Sequence, residues 1–124
     1  MSAPEQEIQK VRQAAEDYAF GWYLKQPERI GNALHDKLVK RTLEQPNDQL
    51  KEITKQDLVR LTEEKEGIDA EDMQQCDIKV DFVGGPGNGC AMLELEMKHW
   101  FDFMQLVKME NGEWKIVNVL WKAK

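Results

Sequence analysis

The chain is poor in the residues that announce a specialised chemistry. It has two cysteines and two histidines in 124 residues, which is too few for a credible zinc site. Positive charge is also scarce. Lysine and arginine number 17 against 23 acidic residues, a formal net charge of -6, and this excludes nucleic acid or an anionic membrane as the main partner. No stretch approaches the roughly 18 consecutive apolar residues of a membrane span. Met1 to Lys10 lacks the apolar core of a secretory signal, so a cytoplasmic location is expected. Gly84 to Gly89 is glycine-rich but has no Lys-Ser/Thr after it and joins two strand-like runs, so it reads as a turn and not a phosphate loop. With 41% hydrophobic and 32% charged residues, the composition is that of a soluble single domain spanning 1–124.

Cys76 and Cys90 flank that glycine-rich turn. If the turn closes a hairpin, their offset along the strands is roughly 23 Å, far beyond the roughly 7 Å Cα limit of a disulfide. Two reduced thiols are expected.

What is present is a change of periodicity along the chain. Ser2-Ala3-Pro4-Glu5 has the form of a capping box. Ile8, Val11, Ala15, Tyr18, Ala19 and Trp22 then recur every three or four residues and predict a helix to about Leu24. Tyr23 falls off that stripe and is expected at its edge. Pro27 opens a short second helix with Ile30, Ala33 and Leu34 inward and His35 at its end. Leu38 to Glu44 and Gln49 to Ile53 read as strands around Pro46-Asn47-Asp48. Thr54 can cap a third helix, with Ile53 and Leu58 as a hydrophobic staple and Gly67 as its stop. Ile68 to Gln75 reads as irregular.

The C-terminal half alternates. Ile78, Val80 and Phe82 interleave with charged residues, as do Ala91, Leu93, Leu95 and Met97. A single strand from Cys90 to Met109 would be roughly 65 Å long, so a break is expected at Lys98 to Asp102. Asn111-Gly112 predicts a hairpin into Glu113–Lys122. The last two strands carry apolar residues on both parities: Trp114, Ile116 and Leu120 against Val117, Val119 and Trp121, and Phe101, Phe103 and Val107 against Trp100, Met104 and Leu106. The helices can cover one face; the other predicts a homodimer through the sheet, or cover by the chain's own loops.

This order of elements resembles the nuclear-transport-factor-2-like (NTF2-like) superfamily. Tyr18-Ala19-Phe20-Gly21-Trp22-Tyr23, Ala33 to Arg41 and Asn111 to Trp121 are similar to its putative lumazine-binding, SnoaL-like branch. Met104-Gln105-Leu106-Val107-Lys108 is similar too, with Gln105 where that branch tends to carry His. The resemblance implies an α+β fold in which N-terminal helices pack in the concave face of a strongly curved, mainly antiparallel sheet. Such a cone encloses a pocket. The fold hosts enzymes, binders and assembly modules alike, so function must come from the site.

Six residues are candidate ligand contacts: Tyr18, Trp22, His35, Phe103, Gln105 and Trp114. Tyr18 and Trp22 share the inner helical stripe and are core or pocket wall. His35 either meets a ligand near the cone mouth or caps its helix. Gln105 lies between Phe103 and Val107 on one strand face; if buried it needs a ligand, a water or a neighbouring side chain. Asp102 sits among Trp100, Phe101, Phe103 and Met104. It is either a general base whose pKa is raised by an apolar pocket or the marker of the strand break, pointing to solvent, which is the simpler reading. Glu94, Glu96 and His99 do not share a face, so no metal is expected, nor any cofactor. These residues predict a protein that binds a small aromatic or polycyclic molecule without converging acid–base groups. The alternatives are an enzyme of the polyketide cyclase or ketosteroid isomerase type, with Asp102 or His35 as base and Tyr18 as donor, and a homodimeric interaction module with a filled cone.

Overall fold

The computed structural model describes residues 3–68 and 79–124. Their order is α1 (Ala3–Tyr23), α2 (Pro27–Ala33), β1 (Leu34–Glu44), β2 (Gln49–Thr54), α3 (Lys55–Glu64), β3 (Lys79–Gly84), β4 (Cys90–Glu96), β5 (Trp100–Lys108) and β6 (Trp114–Ala123). Ser2 of the expected capping box, Cys76, Ile78 and residues 69–75 lie outside the described residues. Cys90 is an exposed free thiol.

The strands form one sheet in the order β2-β1-β6-β5-β4-β3, antiparallel except where β1 runs parallel to β6. Helix α1 lies against its inner face and touches strands far apart in that order. Tyr18 reaches Lys40 on β1 and Asp102 on β5, Glu7 accepts from Trp114 Nε1 on β6, and the Arg12 guanidinium lies 5.6 Å over the Phe82 ring on β3. One helix meets four strands of a six-stranded sheet only if the sheet curls round it. This is the expected α+β cone.

Several local expectations are met. Thr54 accepts from the Asp57 amide while the Asp57 side chain accepts from the Thr54 amide, the reciprocal capping box of α3. Ile53 and Leu58 are both buried. The core stripe of α1 holds Val11, Ala15, Tyr18 and Ala19, and it also takes in Tyr23, which is fully buried and not at an edge. Val11, Ala15, Ala19 and Tyr23 recur every fourth residue, so Tyr23 extends the stripe by one turn.

Other elements differ in an instructive way. Helix α2 ends at Ala33, and Leu34 already pairs with Ile116 in the parallel β1–β6 ladder, so His35 belongs to a strand and caps no helix. The break between β4 and β5 falls at Met97–His99, which leaves Asp102 inside β5. The Asn111-Gly112 signal lies in a connection running Met109–Glu113, with Gly112 at φ +89° and Asn111 Oδ1 accepting from the Glu113 amide. The main departure is in β6. Gln105 pairs with Asn118 but Leu106 pairs with Ile116, so Val117 is a bulge. Side-chain parity inverts there. Trp114 and Ile116 before the bulge and Val119 and Trp121 after it all turn inward, whereas Leu120 stands 54% exposed outside. The apolar character of both parities in β6 is thus largely one inner face read across a bulge.

The tightest constraint on this architecture is the crossing of α1 and α2. A Cβ built on Gly21 would lie 2.7 Å from the Ile30 backbone nitrogen and 2.8 Å from its Cβ. Only glycine permits that approach. Gly21→Ala is therefore expected to destabilise the fold by about 1–3 kcal/mol through overpacking, despite alanine's better helix propensity. Urea unfolding at neutral pH measures it; an unchanged or raised midpoint contradicts the close crossing.

Candidate functional site

Between α1, α3 and the inner sheet lies a cavity of about 180 Å³ lined by Tyr18, Trp22, Ile30, Lys40, Ile53, Leu58, Leu61, Met97, Trp100, Asp102 and Trp121. Most of these walls are apolar. Their positions follow from the elements just described: Tyr18 and Trp22 come one turn apart on α1, Leu58 and Leu61 from α3, and Trp100, Asp102 and Trp121 from the inner parity of β5 and the post-bulge parity of β6.

Three polar side chains meet here. The Tyr18 hydroxyl donates to Asp102 Oδ2 at 2.5 Å, and Lys40 Nζ donates to Tyr18 Oη at 2.5 Å. Lys40 Nζ is also 3.5 Å from Asp102 Oδ2. Lys40 faces Val119 in the β1–β6 register and Met104 faces the same Val119 from β5, so Lys40 and Asp102 stand on one face, separated by the width of β6. The ammonium is flanked by aromatic rings, 5.1 Å from the Tyr18 centroid and 5.5 Å from that of Trp121. Asp102 is 1% exposed and the Lys40 side chain 15%. Burial, reinforced by the negative charge and hydrogen bond of Asp102, holds the Tyr18 hydroxyl well above its ordinary pKa. Burial pushes the Lys40 ammonium down, with Asp102 acting against that shift.

Two polar atoms in this wall have no partner: Asp102 Oδ1 and Trp121 Nε1. They belong to directly opposed residues, since Asp102 pairs with Trp121 across β5 and β6. One is an acceptor and the other a donor. A buried polar atom without a partner costs about 1–3 kcal/mol. Stability gives the cluster no rationale of its own, because buried ion pairs are often replaceable by apolar residues at no loss.

The six expected contacts separate sharply. Tyr18 and Trp22 line the cavity. His35 does not; it is half-buried on β1 and its Nδ1 accepts from the Lys37 amide at 2.9 Å. Phe103 is 46% exposed on the outer face of β5. Gln105 lies on that same outer face, where its Oε1 accepts from Asn118 Nδ2 at 2.9 Å, so its polar partner is a neighbouring side chain. Trp114 is buried beneath the N-terminal part of α1 with Nε1 donating to Glu7. It borders an open surface cleft with Lys10, Gln13 and Lys115 and stands apart from the cavity. The solvent-facing reading of Asp102 is overturned. Strand β5 begins at Trp100, two residues before it, so Asp102 takes the inner parity with Met104 and Leu106.

Lys40 and Trp121 were not singled out by the sequence. A signal for Lys40 did exist: it shares strand parity with Leu38, and Leu38 is fully buried. Trp121 was hidden by the bulge. Among the described residues no group of three or more His, Cys, Asp or Glu could hold a metal ion.

Comparison with known proteins agrees with this geometry. The family model described as putative lumazine-binding matches residues 6–122. An NTF2-like protein of unknown function from Silicibacter pomeroyi is similar over 100% of both chains at 18% identity, with a TM-score of 0.75. One from Shewanella baltica covers 100% of this chain and 98% of its own at 13% identity and a TM-score of 0.72. A ketosteroid isomerase-like protein from Erwinia carotovora atroseptica has 11% identity over 94% of this chain and 95% of its own, with a TM-score of 0.65. No curated protein matches the chain. With a family match running from Gln6 to Lys122, the chain belongs to the putative lumazine-binding family, and its helix-filled cone has the fold of the NTF2-like structures it resembles.

Proposed function

We propose that the protein binds a small, largely apolar ring molecule in the cone. The observation that carries this reading is the pair of unpartnered atoms, Asp102 Oδ1 and Trp121 Nε1, on adjacent strands of an otherwise apolar cavity. A ligand that offers an N–H or O–H to the carboxylate and an acceptor to the indole satisfies both. Volume supports a ligand of one ring. The cavity's 180 Å³ falls below the roughly 300 Å³ at which ordinary ligand pockets begin, which favours a filled interaction module over a polycyclic ligand, but it is close to the roughly 150 Å³ apolar cavity that holds benzene.

A proton-abstracting enzyme is the second reading, favoured by the burial of Asp102 next to Tyr18. In ketosteroid isomerases a tyrosine and a protonated aspartic acid both donate to the enolate oxygen. Here the Tyr18 hydroxyl is spent on Asp102 itself, and Lys40 supplies a cation beside the carboxylate. That arrangement supports holding a ligand better than stabilising an enolate.

The outer sheet face supports a homodimer. Met92, Phe103 and Leu120 are 45%, 46% and 54% exposed on three adjacent strands, and a second copy of the same face would cover them. Sedimentation at micromolar concentration is expected to give twice the 14.5 kDa chain mass, and Phe103→Glu with Leu120→Glu to give the single chain while still folded. A wild-type species at 14.5 kDa contradicts the dimer.

For the cavity, thermal unfolding with one-ring lactams and phenols is the direct test. A ligand at 100 times its Kd raises stability by about 2.7 kcal/mol. Trp121→Phe keeps the wall and removes the N–H, so it should weaken such a ligand about tenfold. If no compound stabilises the protein, or Trp121→Phe leaves every affinity unchanged, the reading fails.

A further inference from the structure

We propose that Lys40 is a carbonyl-capturing amine, which condenses with an aldehyde or ketone seated in the cavity to form an imine. The inference rests on the reading that the cavity admits a small ring molecule, and it adds a covalent step to that reading.

An amine that attacks a carbonyl needs three things: room beside its nitrogen, walls that keep bulk water away, and a group to take and return a proton. The cavity supplies the room and the walls. The hydrogen bonds supply the proton path. Lys40 Nζ donates to Tyr18 Oη, and Tyr18 donates to Asp102 Oδ2, so every donor in the chain points from the ammonium to the carboxylate. A proton handed from Nζ to Tyr18, as Tyr18 hands its own to Asp102, leaves a neutral amine and a neutral carboxylic acid. Burial also lowers the pKa of the Lys40 ammonium, the usual setting of Schiff-base lysines.

The atoms balance. The Nζ lone pair forms a bond to the carbonyl carbon, and the C=O π electrons move to oxygen, which receives the proton lost from nitrogen. The proton held by Asp102 returns through Tyr18 to the carbinolamine hydroxyl. That hydroxyl leaves as water while the remaining nitrogen lone pair forms the C=N bond. The product is a protonated imine beside an ionised Asp102, so the charge of the site is the same before and after.

Benzaldehyde with sodium cyanoborohydride tests this on the full chain. Reduction fixes the imine as a benzyl group, and peptide mass mapping locates it. Lys40 is expected to carry the label about tenfold faster than any other lysine. Lys40→Arg should remove that label and leave the surface background unchanged. Tyr18→Phe, which cuts the relay but keeps the ring, should slow Lys40 labelling about tenfold with no effect on surface lysines. Benzyl alcohol, which has the ring but no carbonyl, separates the two claims. If it raises the melting temperature while Lys40 is labelled no faster than surface lysines, the cavity reading stands and the amine proposal is overturned. If it does neither, and Lys40 stays at background, both fall. Fast labelling that benzyl alcohol suppresses supports both.

Discussion

The hydrogen bond from Tyr18 to Asp102 is the contact on which the interior of this cone depends. It joins the middle of α1 to β5 across 84 positions of sequence and brings in Lys40 from β1, two strands away in the sheet order. Removing any member would leave a buried charge or hydroxyl without compensation, which costs far more than a surface pair would. The three groups therefore fix where the helix lies in the concave face, and that placement sets the cavity between α1 and α3.

The same interaction accounts for the chemistry of the site. Oδ2 of Asp102 is occupied by Tyr18 and faced by Lys40, and this leaves Oδ1 as the acceptor that looks for a partner. The Trp121 indole beside it is the matching donor. The cavity is thus an apolar container with one polar edge, a pattern suited to orienting a small ligand. Hydrogen bonds run in one direction from Lys40 through Tyr18 to Asp102, and the proposal for Lys40 uses them as its proton route.

How much of this the sequence discloses depends on the kind of signal. The spacing of Val11, Ala15, Tyr18 and Ala19 and the Thr54–Asp57 cap are local, and local physics decides them; both are present in the structure. Asp102 and Trp121 depend on parity, and parity depends on where a strand starts and whether it is interrupted. Moving the β4–β5 break forward to Met97–His99 turns Asp102 from a solvent-facing marker into a buried carboxylate. The bulge at Val117 inverts every side chain after it. Gln105 illustrates the same limit from the other side: a lone amide between apolar residues reads as a candidate ligand contact, yet it lies outside, paired with Asn118. The pairing register lies in the partner strand, and no window of sequence contains it.

The buried state of Tyr18 can be measured directly by following tyrosinate absorbance in a Tyr23→Phe variant, where Tyr18 is the one remaining tyrosine. Because its folded pKa is raised above the ordinary value of 10.0, its contribution to stability is fully present below pH 10.0 and is lost as pH rises toward the folded pKa. The account predicts that Tyr18 stays protonated past pH 10.0 for as long as the chain is folded, and ionises only as the chain unfolds. Reversible ionisation near pH 10.0 in the folded protein would show the hydroxyl open to water and contradict the buried Tyr18–Asp102–Lys40 cluster.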